Sequence, residues 1–188
     1  MKAWRAEAFG DPLDVLNLVD INLPEIDDDT VEIKVSASGV GLPDPLMLAG
    51  NYPAVSAPPI TPGQEVVGTI TKAGANSKFK VGDRVMAATK FAQGSGGFAE
   101  YCHSRVSSLM PIPKGMSDEE AAGFFVPYHT GYAGLIQRGE LKAGESLLVL
   151  GGAGSSGSAA IMLGKAVGAM VIATASSQEK VDFCRSLG

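Results

Sequence analysis

A glycine-rich segment in the C-terminal third of the chain has the spacing that lets a backbone approach a phosphate closely. It reads GxGxxG, and its members are Gly152, Ala153, Gly154, Ser155, Ser156 and Gly157. Glycines allow a tight turn, and the N–H groups at the start of a following helix attract negative charge. The GxxxxGK[ST] pattern of a mononucleotide loop is absent. The segment therefore predicts a site for the pyrophosphate of a dinucleotide, with a plain strand-to-helix turn as the alternative.

The residues after this segment indicate which dinucleotide would bind. An NAD site normally has Asp or Glu at the end of the second strand, where the carboxylate binds the ribose 2′-hydroxyl. No acidic residue occurs from Ser158 to Gln178, whereas Ser176 and Lys180 stand near the expected strand end. A hydroxyl and an ammonium group favour a 2′-phosphate, which predicts NADPH (NADP) as the cofactor. The alternative stays open that Ser176 caps a helix and Lys180 is an ordinary surface lysine.

The cysteines and histidines do not form a metal-binding pattern. Cys102 and Cys184 are far apart, and the only histidines are His103 and His129. Neither a disulfide framework nor a structural zinc site is expected from these spacings. We expect Cys102 and His103 to be structural residues on a strand. We expect His129 to be a core residue of a helix, with a general acid as the alternative.

Alternating strands and helices are expected around the glycine-rich segment. An apolar run at 146–150 precedes it and predicts a strand buried on both faces, as in a parallel sheet. The elements expected after this strand are a helix over 158–167, a strand over 170–174 and a helix over 178–187. Upstream, Ser117 and Glu120 form a capping box that begins a helix, and another helix is expected from about 126 to 137.

Short strands and turns dominate the first 115 residues. The expected strands lie over 31–35 and 65–72, after the turn at 80–85, and from 96–102 onward. A proline-rich stretch at 42–63 predicts a long irregular segment with a short helix near 44–48. Short strands with Gly and Pro turns favour a barrel or a sandwich.

Composition and charge exclude several classes of protein. The chain has 188 residues, of which 45% are hydrophobic, so it can build a core. Its net charge of −5 argues against binding to nucleic acid as its main function. No stretch approaches the ~20 apolar residues of a membrane helix, and the N-terminus does not resemble a signal peptide. We expect a cytoplasmic protein that does not contact membranes. Because two parallel strands do not make a stable sheet, we also expect the chain to be part of a longer protein.

Several segments resemble the medium-chain dehydrogenase/reductase superfamily, and in particular its zinc-independent quinone oxidoreductase branch. They follow one another along the chain in the same order as in that family. They are Gly39-Val40, Gly50-Asn51-Tyr52-Pro53, Pro62 to Gly68, Val81 to Val85, Gly97 to Tyr101, and Gly139 to Gly157. The resemblance implies an α+β and α/β protein. Its GroES-like β-barrel domain would span 1–124, and the first β-α-β-α part of a Rossmann domain would span 125–188.

The resemblance also assigns roles to individual residues. Gly41 and Gln64 stand where the zinc-dependent branch has a cysteine and a histidine ligand, which implies that no zinc is bound. Tyr52 matches the tyrosine that enoyl-reductase relatives use as a proton donor, although a packing role is an equal alternative. The residues implied to line the substrate and nicotinamide cleft are Asp44, Tyr128 and Thr130.

These observations together predict a zinc-independent, NADPH-dependent reductase of quinones or activated alkenes. A trans-2-enoyl thioester reductase is the alternative within the same class, and a catalytically weak nucleotide-binding or structural protein is the alternative outside it. The expected partners are a small-molecule substrate and, in the full-length protein, a second copy of the chain.

Overall fold

The computed structural model describes residues 1–188, which divide into two compact units. The N-terminal unit spans Met1–Phe125 and the C-terminal unit spans Val126–Gly188. The predicted domain boundary lies one residue earlier. Each unit has its own hydrophobic clusters and is described separately.

Four antiparallel strands form a closed barrel in the N-terminal unit, which is one of the two architectures that the short strands favour and the one that the resemblance implies. They are β3 (Thr30–Ser38), β4 (Glu65–Ala73), β5 (Arg84–Thr89) and β6 (Tyr101–Pro111), and the barrel closes because β3 pairs with both β4 and β6. Alternate residues point inward because side chains along a strand face opposite sides. The buried core residues are Val31, Ile33, Val66, Ile70, Val85, Ala87, Cys102 and Leu109.

Shorter elements surround the barrel. Two of them, the strands β1 (Lys2–Arg5) and β2 (Asn17–Asp20), pair with each other and were not predicted. The helices are α1 (Pro12–Val15), α2 (Pro43–Leu48), a 3₁₀ turn (Phe91–Gln93) and α3 (Asp118–Ala122). The predicted capping box at the start of α3 is present, because Ser117 accepts from Glu120 N–H and Glu120 accepts from Ser117 N–H.

The irregular segment from 42 to 63 is held by a second apolar cluster. Its buried members are Ala6, Met47, Leu48, Val55 and Ile60, and Tyr52 and Phe91 pack against them. The cluster anchors α2 and the chain that follows it, so this long segment has a defined path although it contains little regular structure.

The C-terminal unit contains the predicted β-α-β-α order. The elements are β7 (Ser146–Val149), α5 (Ser155–Val167), β8 (Met170–Ala173) and α6 (Gln178–Ser186). The two strands are parallel, with Ser146 opposite Met170 and Val149 opposite Ala173. Val149, Ile161 and Cys184 form the buried cluster of the unit.

The expectation that the first of these strands is buried on both faces is wrong. Leu148 is 61% exposed and, on β8, Ile172 is 51% exposed, whereas Val149 is 6% exposed. The helices bury one face of the two-stranded sheet through the cluster around Ile161 and Cys184, and the apolar side chains on the other face stay exposed.

The helix expected over 126–137 forms in two parts. It begins as α4 (Phe125–Gly131) and continues as a π-helix over Tyr132–Arg138. The wider turn closes because the N–H of Gly139 donates to the carbonyl of Gly134, five residues earlier, at 2.8 Å. A Cβ at position 139 would lie 2.9 Å from that carbonyl oxygen, so glycine is what allows this closure.

Candidate functional site

The glycine-rich segment forms the turn between β7 and α5. Gly154 is the N-cap of α5, and no side chain caps this helix end. The first N–H groups of an α-helix have no partner within the helix, and the helix dipole adds partial positive charge there. Ser155 and Ser156 are exposed at this end, so their backbone N–H groups and hydroxyls are available to an anion.

The three glycines of the motif meet different surroundings. A Cβ at Gly157 would overlap the carbonyl oxygen of Gly151 and lie 2.9 Å from Cα of Gly152. A Cβ at Gly152 would lie 2.9 Å from Cβ of Ala173, on β8. At Gly154 the nearest atom would be the Gly151 oxygen at 3.4 Å, an ordinary contact. Packing inside the chain therefore requires the first and last glycines, whereas the middle one leaves space that a ligand could use.

A cavity of about 450 Å³ lies beside this turn at the carboxyl end of β8, and we call it the strand-end pocket. Its lining residues are Gly151, Ala153, Gly154, Thr174, Ala175, Ser176 and Lys180. The structure thus brings together the predicted cofactor residues Gly154, Ser176 and Lys180. Gly152, Ser155, Ser156 and Gly157 belong to the adjoining turn and helix start and do not line it.

The pocket lining has two hydroxyls, those of Thr174 and Ser176, one ammonium group and no carboxylate. Nζ of Lys180 donates to Oγ of Ser176 at 3.2 Å, and Lys180 is the only charged residue in the lining. The cap of α6 is Ser177, whose Oγ accepts from the Lys180 N–H, so Ser176 is not used as the cap. Thr174 ties the turn to β8, because its hydroxyl and its carbonyl accept from Gly151 N–H and Gly152 N–H. The role of Thr174 was not predicted, since it depends on the contact between two strands.

In the N-terminal unit, Tyr52 lies next to a residue that the sequence singled out for another reason. Nε2 of Gln64 donates to the phenol oxygen of Tyr52 at 2.8 Å. The ring of Tyr52 is half-buried, and its centroid lies 6.2 Å from that of Phe91. At the position that the resemblance aligns with a zinc-binding histidine, this chain therefore has an amide that contacts the predicted proton donor.

Asp44, predicted to line the cleft, is 4% exposed and positions the backbone. One carboxylate oxygen accepts from Gly41 N–H and the other from Gly63 N–H, both at 2.8 Å. Burial raises the pKa of Asp44, and the two N–H donors act in the opposite direction. Asp44 thus joins the start of α2 to the segment that leads into β4.

The other two predicted cleft residues lie on α4. The hydroxyl of Tyr128 donates to Sδ of Met162 at 2.8 Å, and burial raises the pKa of Tyr128. Thr130 is exposed. His129 is also exposed, so the expectation of a core histidine is wrong: Pro127 and Gly131 occupy the buried face of this short helix instead.

The remaining cysteine and histidine predictions concern β6 and metals. Cys102 and His103 are buried on this strand, as expected of structural residues, and burial raises the pKa of Cys102 and lowers that of His103. No three His, Cys, Asp or Glu side chains are grouped so as to hold a metal ion. None of the helices is long and apolar enough to cross a membrane.

Comparison with known sequences identifies relatives of the whole chain. The family described as "Alcohol dehydrogenase GroES-like domain" matches residues 27–114, which include the barrel strands. Quinone oxidoreductase of Homo sapiens is 38% identical over 181 residues, which cover 95% of this chain and 54% of that protein. The chloroplastic NADPH-dependent alkenal/one oxidoreductase of Arabidopsis thaliana is 40% identical over 197 residues, with coverages of 100% and 50%. The chain spans about half the length of the curated relatives it matches.

Solved structures give the same result. The quinone oxidoreductase of Thermus thermophilus, described alone and in complex with NADPH, matches with a TM-score of 0.85 and 37% identity, covering 100% of this chain and 58% of that one. CurK enoyl reductase matches with a TM-score of 0.88 and 28% identity, with coverages of 100% and 57%. The barrel, the β-α-β-α unit and these relatives lead to one conclusion: residues 27–114 match the alcohol dehydrogenase GroES-like domain, and the chain is similar throughout its length to quinone oxidoreductases of the medium-chain dehydrogenase/reductase superfamily.

Proposed function

We propose that the protein is a zinc-independent oxidoreductase that uses NADPH to reduce quinones or activated alkenes. The observation that carries the proposal is the strand-end pocket, where Ser176 and Lys180 meet beside the glycine-rich turn and no carboxylate is present. A carboxylate is the group that would favour the free 2′-hydroxyl of NADH, whereas a hydroxyl and a cation favour the 2′-phosphate of NADPH.

The chain offers donors to both charged parts of the cofactor. The turn residues Gly152 to Gly157 and the uncapped start of α5 would hold the pyrophosphate. Because Gly154 has no side chain, the pyrophosphate could approach the backbone N–H groups closely there. Ser176 and Lys180 would hold the 2′-phosphate. When bound, NADPH supplies a hydride to an electron-poor carbon or a quinone. Tyr128 and Thr130 on α4 are proposed to lie near the nicotinamide.

The reaction also needs a proton, because a hydride acceptor conjugated to a carbonyl becomes an enolate or a phenolate. Tyr52 is the residue that we propose to donate it. In this proposal no zinc takes part, because Gly41 and Gln64 stand at two positions where the zinc-dependent branch has ligands, and a catalytic zinc needs three protein ligands. Elemental analysis of the purified protein tests this point, and stoichiometric zinc would contradict it.

Cofactor titration tests the assignment of NADPH. We expect the Lys180→Ala variant to bind NADPH about 10- to 150-fold more weakly, which corresponds to ~1.5–3 kcal/mol for one charge-assisted hydrogen bond. NADH binding should not change, since NADH lacks the 2′-phosphate. Lys165→Ala is the matched control, because Lys165 is an exposed lysine of the same unit outside the pocket. Equal weakening of both cofactors by Lys180→Ala would refute the assignment.

A trans-2-enoyl thioester reductase is the second candidate, and the likeness to CurK enoyl reductase favours it. NADPH oxidation measured with a simple quinone, a short enone and a trans-2-enoyl thioester separates the two. Faster turnover of the thioester would select the second candidate. Tight NADPH binding without turnover of any of the three would favour a nucleotide-binding protein instead.

We also propose a cytoplasmic location and a homodimer of the full-length protein. Cell fractionation tests the location, and light scattering during size-exclusion chromatography tests the assembly. Recovery in a membrane fraction, or a monomeric mass, would contradict these two points without affecting the chemistry.

A further inference from the structure

The side chains of Gln64 and Tyr52 form one polar contact between two separate segments of the N-terminal unit. Tyr52 follows α2, and Gln64 immediately precedes β4. Nε2 of Gln64 lies 2.8 Å from the phenol oxygen. Both residues are half-buried, so the contact is neither fully hydrated nor sealed from a small molecule.

The backbone around Gln64 is fixed on both sides. The carbonyl of Gln64 accepts from Thr89 N–H at 2.8 Å, and the hydroxyl of Thr89 donates to the carbonyl of Gly63 at 2.6 Å. The N–H of Gly63 donates to Asp44, the buried carboxylate on α2. Gln64 is therefore held by the barrel strand β5 and by the same helix that precedes Tyr52. A side chain with this support can hold a partner in one geometry.

The direction of the hydrogen bond determines what the contact can do. Because the amide donates to the phenol oxygen, the O–H of Tyr52 remains available to donate to a substrate. After the proton leaves, the same amide donates to an oxygen that carries negative charge, and hydrogen bonds to a charged acceptor are about twice as strong as neutral ones. An interaction that strengthens as charge develops lowers the barrier rather than only binding the substrate.

We propose that Gln64 is the positioning residue for proton donation by Tyr52. This inference rests on the proposed function, since it assumes that the protein reduces a substrate that needs a proton. Gln64 itself neither gains nor loses a proton. It orients the phenol and stabilises the phenolate that forms.

A double-mutant cycle tests the inference with NADPH oxidation as the assay. Gln64→Leu keeps a similar size but removes the donor, and we expect kcat to fall about 10- to 100-fold. The KM for NADPH should stay within about twofold. In a Tyr52→Phe background the same replacement should change kcat by less than about twofold, because no phenol oxygen remains to be stabilised. Gln93→Leu, at an exposed glutamine of the same unit, is the control for the loss of an amide.

The pH dependence of a second variant distinguishes this role from a purely structural one. In Gln64→Glu an ionised carboxylate only accepts hydrogen bonds and would engage the O–H of Tyr52, whereas the protonated acid can donate. We therefore expect kcat of Gln64→Glu to rise relative to Gln64→Leu as the pH falls towards 5. A fixed ratio between the two variants would overturn the inference.

The outcomes separate this inference from the proposed function. Wild-type kcat in Gln64→Leu, or an equal fall in both backgrounds, overturns the role of Gln64 and leaves the reductase in place. An unchanged rate in Tyr52→Phe removes the proton donor, and the inference falls with it. Absence of turnover in the wild type with quinone, enone and thioester alike refutes the proposed function and the inference together.

Discussion

Replacing Gly154 and Gly157 one at a time by alanine should separate ligand binding from folding in the glycine-rich turn. The chemical change is the same at both positions. The two sites differ in what the added methyl group meets, since it overlaps backbone at position 157 and meets only an ordinary 3.4 Å contact at position 154.

Gly154→Ala should leave stability almost unchanged. The backbone at this position has φ −79° and ψ 166°, an extended conformation open to any residue. Alanine is a poorer N-cap than glycine by about 0.5–1 kcal/mol, but it stabilises the protein by ~0.4–1 kcal/mol because it reduces the entropy of the unfolded chain. The two effects oppose each other, so we expect the free energy of unfolding to change by less than about 0.5 kcal/mol.

Unlike stability, NADPH binding should be clearly weakened by Gly154→Ala. The methyl group would fill the space through which a phosphate reaches the N–H groups at the start of α5. Loss of one charge-assisted hydrogen bond costs ~1.5–3 kcal/mol, which corresponds to about 10- to 150-fold in Kd. Because NADPH and NADH share the pyrophosphate, both should weaken equally, unlike the response to Lys180→Ala.

Gly157→Ala should destabilise the fold itself. The atoms that the methyl group would meet belong to the backbone of Gly151 and Gly152, so the turn must move. Overpacking of this kind typically costs ~1–3 kcal/mol. Urea unfolding measures this loss of stability in the C-terminal unit. Titration with NADPH and NADH measures the effect of the same replacement on cofactor binding.

Gly134→Ala is the control, because the added methyl group at position 134 would meet no atom within 4 Å apart from those of its chain neighbours and of its own helix backbone. Wild-type Kd values in Gly154→Ala would refute the argument that a phosphate occupies this space. Equal stability losses in Gly154→Ala and Gly157→Ala would refute the geometry of the turn.

Three further predictions concern single side chains. Ser176→Ala should weaken NADPH binding without a change in stability. Ser177→Ala should lower the free energy of unfolding in urea by ~0.5–2 kcal/mol, because Ser177 caps α6. The reverse pattern would show that the two serines have exchanged roles. Asp44→Asn should destabilise the N-terminal unit by ~1–3 kcal/mol, because its NH₂ group would face one of the two backbone N–H donors, and unchanged urea unfolding would contradict this. Burial lowers the pKa of His103, so on acidification the unfolded chain takes up a proton at this residue before the folded protein does. The free energy of unfolding should therefore fall as the pH drops below about 6.5, by at most ~1.4 kcal/mol per pH unit. This contribution should be absent in His103→Gln, and identical pH profiles for the two proteins would exclude it.

The sequence predicts best those parts of the structure that depend on residues close together along the chain. The capping box at Ser117 and Glu120 and the turn at Gly152 to Gly157 form as expected, because local hydrogen bonds and sterics determine them. The pairing of β1 with β2 was not predicted. These strands have four residues each, and Trp4 N–H donates to the carbonyl of Phe98, which is distant in the sequence.

The contacts at the candidate site depend on how separate segments meet, and here the sequence is less informative. The neighbouring residues Ser176 and Ser177 are equally suited to cap a helix, and only the structure shows that the second one does so. The contact between Gln64 and Tyr52 depends on the path of the segment after α2, which apolar packing around Met47 determines. A sequence motif contains no information about that path.

The residue at position 64 connects the proposed chemistry with the superfamily. A hydride acceptor develops negative charge on oxygen, and that charge can be stabilised by a metal ion or removed by a proton. The resemblance places a metal-binding histidine of the zinc-dependent branch at this position. In this chain Gln64 instead contacts the phenol of Tyr52, so the same position would support a proton donor. Gln64, together with Gly41 at the other ligand position, would thus change how the charge is neutralised while the barrel stays the same. The cycle with Tyr52→Phe measures this coupling directly.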